Sequence, residues 1–143
     1  LSGITDKLPE ELIRFKNLET VRLINLSSDY DLNDAFNKLS KLGTVKKLFL
    51  YGNKHQKLPK SISTINSLEF IELNSNLKND LYAIIESLTK IENFNSLSLR
   101  SMELKDVPSN ITTLRIKHLN LDNNYNLDYN KTFELLSKLN LES

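Results

Sequence analysis

The side chains able to do chemistry are few and widely spaced. The chain of 143 residues carries two histidines, His55 and His118, and no cysteine. A zinc site needs several nitrogen, sulfur or carboxylate ligands converging on one point, and two isolated histidines do not supply them. Ser96, His118 and Asp122 are the residue types of a nucleophilic triad, but nothing marks Ser96 as a nucleophile. Asp29-x-Asp31-x-Asn33 opens like a calcium loop. It lacks the glycine at the sixth position and the glutamate at the twelfth, and Leu32 begins a helical stripe, so helix capping is its better reading. Three glycines in the whole chain leave no phosphate-cradling loop. The acceptor triplets Asn25-Leu26-Ser27, Asn110-Ile111-Thr112 and Asn130-Lys131-Thr132 are what an Asn- and Ser-rich chain yields by chance. The residues therefore imply no enzyme, no cofactor and no metal, and any function is expected to lie in surfaces.

Composition narrows the partner. Net charge is +1, with 39% hydrophobic and 26% charged residues. Such a balance gives no field favouring nucleic acid or an anionic membrane. No apolar run approaches the ~20 residues of a membrane span. The lack of cysteine rules out disulfides without fixing a compartment. Abundant Asn and Lys suggest an AT-rich bacterial genome, and extracytoplasmic or secreted placement is the expectation.

The elements that must present such a surface are written in a repeat. The pattern apolar-x-x-apolar-x-apolar falls on Leu18, Val21, Leu23; on Val45, Leu48, Leu50; on Leu68, Ile71, Leu73; on Phe94, Leu97, Leu99; and on Ile116, Leu119, Leu121. The starts at 18, 45, 68, 94 and 116 are 27, 23, 26 and 22 residues apart. Copies at a near-constant period indicate stacked units, none of which can bury its apolar side alone.

Two kinds of return segment alternate. After Leu50 and Leu99 come Lys57-Leu58-Pro59 and Asp106-Val107-Pro108, and Lys7-Leu8-Pro9 repeats the same text near the start. Proline suits the first turn of a short return, where its missing N–H is no loss. The longer returns carry one-sided helical stripes. These are Leu32, Ala35, Phe36, Leu39, Leu42 in Asp31–Leu42; Leu81, Ile84, Ile85, Leu88, Ile91 in Asp80–Ile91; and Tyr129, Phe133, Leu136, Leu139 in Asp128–Leu139. Asp31 and Asp80 sit at N-cap positions. The true unit is thus a pair of repeats about fifty residues long.

Because every unit returns the chain by the same route, the strands must run parallel. Strands stack at ~4.8 Å while helices are wider, so the stack curves with its sheet on the inside. Residues 1–143 read as a single domain and as a fragment of a longer array. The chain opens inside a repeat, with Gly3 opposite Asn53. It closes with Leu139 and Leu141 about where a sixth strand would start. The alternative is that the two exposed ends pair with each other in a dimer.

At this point the text resembles the leucine-rich-repeat family, whose motif is Leu-x-x-Leu-x-Leu-x-x-Asn-x-Leu. Val45 through Asn53, Leu68 through Asn76 and Ile116 through Asn124 fit it. The short repeats resemble the Leu-Pro type of bacterial and plant members, the long ones the more helical ribonuclease-inhibitor type. The resemblance implies an α/β fold: a right-handed solenoid, or horseshoe, with a parallel concave sheet and helices on the convex side. It also implies a general protein-binding scaffold. In the family the ninth-position Asn bonds to loop backbone, a role for Asn53, Asn76 and Asn124. Leu26 and Met102 stand where Asn is expected, so local irregularity or a water partner is predicted at those two turns.

Parallel stacking lets the exposed face be written out. The second position reads Glu19, Lys46, Glu69, Asn95, Lys117, and the third Thr20, Lys47, Phe70, Ser96, His118. The fifth reads Arg22, Phe49, Glu72, Ser98, Asn120, and the seventh Ile24, Tyr51, Asn74, Arg100, Asp122. Alternating charges, as in Glu19 beside Lys46 or Arg100 beside Asp122, support register and solubility. Ile24, Phe49, Tyr51 and Phe70 form an apolar cluster expected to face solvent, which on a sheet surface is either local packing or the anchor of an interface. The partner site predicted here is centred on Phe49, Tyr51 and Phe70 beside Ile24, with Arg22, Lys47 and Glu72 as its rim. Two other readings stay open: a structural segment of a larger bacterial receptor, adhesin or effector, and recognition of a cell-wall glycan through Tyr51 and Asn74.

Overall fold

The structure is a computed structural model that describes residues 7–53, 57–74 and 81–142. The five ladders form five strands: β1 Thr20–Ile24, β2 Lys47–Tyr51, β3 Phe70–Leu73, β4 Ser96–Ser98 and β5 His118–Asn120. They lie side by side in chain order as one parallel, open sheet. Val21, Leu48, Ile71, Leu97 and Leu119 share one row of the register, and Leu23, Leu50 and Leu73 share another. Side chains alternate between faces along a strand, so both rows point the same way, into the core.

Leu23, Leu50, Leu73 and Leu99 are at most 1% exposed, and Leu121 is half-buried at the end of the row. Truncating one inner leucine to alanine would cost about 2–5 kcal/mol. The second motif position ties the coils together through backbone. Lys46 N donates to Glu19 O at 2.8 Å, Glu69 N to Lys46 O at 2.8 Å, Asn95 N to Glu69 O at 3.0 Å and Lys117 N to Asn95 O at 2.7 Å. Glu142 N continues the series by donating to Lys117 O at 2.7 Å, so residue 142 occupies the second position of a sixth coil.

The return segments alternate as the repeat lengths require. Short repeats return through 3-10 segments, η1 Glu10–Arg14, η2 Lys60–Thr64 and η3 Ser109–Thr113. Long ones return through α1 Leu32–Leu42, α2 Leu81–Leu88 and α3 Tyr129–Leu136. A 3-10 turn rises faster per residue than an α turn, so it spans the return with fewer residues. The prolines stand one residue earlier than the first turn. Pro9, Pro59 and Pro108 are the caps, in extended conformation, and their carbonyls accept from Leu12, Ile62 and Ile111 to open each segment. Asp31 caps α1 by accepting from Asp34 N at 3.0 Å, and Asp128 caps α3 by accepting from Lys131 N at 3.1 Å. Gly43, with φ 67°, ends α1 in the left-handed conformation that glycine adopts without penalty. Asp80 lies outside the described residues, as do His55, Asn76, Gly3 and Leu1.

One helical stripe is corrected. Phe36 and Ile85 are fully buried, yet Phe133 at the same position of α3 is 66% exposed, and Tyr129 is 50% exposed. The physical reason is packing order. η2 lies against α1 and η3 against α2, while no further element among the described residues lies against the outer side of α3.

The turns after the strands are corrected too. The residue at the eighth motif position is left-handed in every described repeat: Asn25, Gly52, Ser101 and Asn123 have φ of 52°, 59°, 55° and 58°. The two turns lacking their own asparagine take one from the next coil. Asn53 Oδ1 accepts from Leu26 N at 3.0 Å, and its Nδ2 donates to Leu23 O at 2.9 Å. Asn124 Oδ1 accepts from Met102 N and Leu104 N, both at 3.1 Å, and its Nδ2 donates to Leu99 O at 2.9 Å and Leu121 O at 2.8 Å. Buried backbone groups must find partners, and one carboxamide can serve two adjacent turns. The predicted water partner is thus replaced by protein. Irregularity persists beside Met102, where Glu103 is also left-handed at φ 54°.

Candidate functional site: the exposed face of the sheet

The sheet brings the seven predicted site residues onto β1, β2 and β3. In the register Arg22 faces Phe49 and Phe49 faces Glu72, Lys47 faces Phe70, and Ile24 faces Tyr51. The Phe49 ring lies 5.1 Å from that of Phe70 and 5.8 Å from that of Tyr51, centre to centre, both tilted. The Arg22 guanidinium sits over the Phe49 ring, 4.5 Å from its centre. Tilted aromatic pairs contribute about 0.5–1.5 kcal/mol each beyond burial, and an exposed cation–π contact about 0.5–1 kcal/mol.

Mutual packing corrects one expectation. Ile24, Phe49, Tyr51 and Phe70 are half-buried, and the rings of Phe49, Tyr51 and Phe70 cover part of one another. Burial pushes the Tyr51 phenol above its ordinary pKa, helped by the charge of Glu72 and a hydrogen bond to it, with Arg22 and Arg100 opposing. The rim is thus charged on both sides of the rings.

The rest of the face is polar. Ser96 and Ser98 follow Phe70 and Glu72 across the register. Ser98 is buried, at 2% exposure, between the larger Glu72 and Asn120, and its hydroxyl has no hydrogen-bond partner among the described residues. Of the predicted lateral pairs, Lys46 Nζ meets Glu19 Oε1 at 2.8 Å, while Arg100 and Asp122 form no ion pair. Lys117 instead finds Glu142, at 2.7 Å, one coil further on, where the sequence places the start of a sixth strand.

The imagined triad does not assemble among the described residues. Ser96 and His118 are register neighbours, but Ser96 Oγ donates to Asn95 Oδ1 at 2.8 Å, and His118 Nε2 lies 3.9 Å from Glu142 Oε2. The calcium-like triplet is dispersed. Asp31 caps α1, Asp29 accepts from Ser28, and Asn33 accepts from Ser61. Among the described residues no group of three or more His, Asp or Glu side chains could hold a metal ion, and no helix is long and apolar enough to cross a membrane.

The comparison that bears on the fold is structural. A leucine-rich-repeat protein of Leptospira interrogans superposes with a TM-score of 0.61 and 25% identity, over 81% of this chain and 28% of that one. The chain has the leucine-rich-repeat fold. Its α/β solenoid carries the parallel sheet inside and the alternating returns outside, as the repeat text implies. A further likeness, at TM-score 0.48 and 16% identity, is to the leucine-rich-repeat domain of the type III effector XopL, over 89% of this chain and 55% of that one. No family model matches the chain. No curated protein matches it either. The chain spans only about 28% of the length of the Leptospira protein, whose source suggests a bacterial origin. The leucine-rich-repeat fold suggests a protein-interaction repeat module.

Proposed function

We propose that this leucine-rich-repeat solenoid binds a partner protein through the concave face, without covalent chemistry. The observation that carries the reading is the aromatic cluster at the N-terminal half of the sheet. Phe70, Phe49 and Tyr51 touch in series, and Arg22 is stacked on Phe49. Interfaces concentrate their energy in such groups, Tyr and Arg above all, inside a polar rim that excludes water. Here the rim is Lys47, Glu72 and the Glu19–Lys46 pair. The half-buried rings are pre-ordered by one another, so little side-chain entropy remains to be lost on docking.

The test is a paired pull-down from the native source, followed by mass spectrometry. The wild-type chain is one bait and the Tyr51→Ala/Phe70→Ala double variant the other. A protein retained by the first and lost from the second supports the reading. Equal retention by both moves the binding surface elsewhere on the solenoid.

A further inference from the structure

Three equivalent grooves run along the convex side, each between a Leu-Pro-type segment and the long helix that follows it. The first is filled from within. Lys38 of α1 is 6% exposed, and its ammonium bonds to Leu8 O at 2.8 Å, Glu10 at 2.7 Å and Asp34 at 2.8 Å, using all three of its protons. The third is bridged. Lys131 pairs with Asp106 across it at 2.6 Å, and Leu135, at the position of Lys38, lines it.

The second groove has neither device. The repeat alignment puts Ser87 where Lys38 stands, Ala83 in place of Asp34 and Lys60 in place of Glu10. Ser87 Oγ turns back to its own helix, donating to Ala83 O at 3.0 Å, and so does not cross the groove. What remains is a cavity of 350 Å³ over Leu58, Pro59 and Ile84, with Lys57 and Lys60 on its lip. Both lysines are exposed, and neither forms an ion pair among the described residues.

From this series the geometry points to the second groove as a socket for a glutamate-bearing acidic segment of a partner protein. The first groove shows which shape fits: an unbranched aliphatic stem with a charged head, lying where Lys38 lies. The second inverts the sign of the lip, from Glu10 and Asp34 to Lys60 and Ala83, so the head it accepts is an anion. The methylenes of a glutamate would cover Leu58 and Ile84 while its carboxylate meets Lys57 and Lys60, a charge-assisted contact on a partly desolvated floor. This surface is separate from the concave one, and a partner could use either alone.

The test is an amide-resolved NMR titration of the folded chain with a hexaglutamate peptide at low salt. Saturable shifts are expected at Leu58, at Lys60 and at residues 83–88. Lys60→Glu, an exposed change, should weaken the effect at least about tenfold, and Ser87→Glu, which offers the same lysines an internal glutamate, should do the same. Phe49→Ala should leave it unchanged, which separates this site from the concave one. Shifts spread over lysines all round the surface, no saturation, or equal binding by Lys60→Glu would overturn the proposal.

Discussion

Gly52 lies directly against the side chain of Asn25 one coil below: a methyl group at Gly52 would stand 2.0 Å from Asn25 Oδ1. Both residues are left-handed, at φ 59° and 52°, and Asn25 N donates to Tyr51 O at 2.9 Å. The turns below the strands therefore stack as closely as the strands do. Gly52→Ala meets two penalties, the left-handed backbone at about 1–2 kcal/mol and displacement of the Asn25 carboxamide. Reduced freedom of the unfolded chain offsets about 0.4–1 kcal/mol. The net expectation is destabilisation by about 1–2 kcal/mol, read as a drop of roughly 2–8 °C in thermal midpoint. An unchanged or raised midpoint would show that the turn relaxes freely.

Asn53 should matter more than its place on a surface turn suggests. It is 1% exposed and serves Leu26 N and Leu23 O in the preceding coil. Asn53→Ala strands a buried donor and a buried acceptor, each costing about 1–3 kcal/mol. A loss of about 2–4 kcal/mol in urea unfolding is expected, with faster hydrogen exchange at Leu26 as the local sign. Asn124→Ala should behave alike, with the exchange change at Met102 and Leu104. Protection at Leu26 unaltered by Asn53→Ala would mean that another acceptor takes over.

The Glu19–Lys46 pair predicts a pH dependence whose sign is fixed. The Lys46 hydrogen bond, then its charge, holds the Glu19 carboxyl below the usual glutamate range. A group with a lowered folded pKa contributes stability above its unfolded pKa, about 4.3 for Glu, and loses it as pH falls through the folded value. Lys46 is raised, by the Glu19 hydrogen bond first, so its share is present below an unfolded pKa of about 10.4 and fades as pH climbs through the folded value. In a carboxyl NMR titration, Lys46→Ala should move the Glu19 midpoint upward. Both groups are solvent-exposed, so the shift should shrink with added salt. A midpoint indifferent to Lys46 would remove the pair.

Much of this architecture was legible because periodicity encodes neighbours. Val21, Leu48, Ile71 and Leu97 lie side by side because the spacing that repeats in the text is the spacing of one coil. The composition of the aromatic cluster followed from the same register. Details set by partners in space did not follow. Phe133 has the helical spacing of Phe36, and only the absence of a covering segment among the described residues makes it exposed. The motif assigns Asn53 and Asn124 to their own turns, and sequence gives no direction to a carboxamide that can reach into the coil before it. The Lys38 node was missed because a lysine on a helix reads as solvated. The signal was present in Asp34 four residues earlier and Glu10 after Pro9, two acids converging on one cation.

The most direct test of concave-face binding is to map a captured partner onto the labelled chain by amide shift changes. The account predicts that the largest changes fall on β1 to β3, at Arg22, Phe49, Tyr51, Phe70 and Glu72, and that the α1 to α3 surface stays quiet. Changes concentrated on the convex helices, with Phe49 and Tyr51 unmoved, would contradict it.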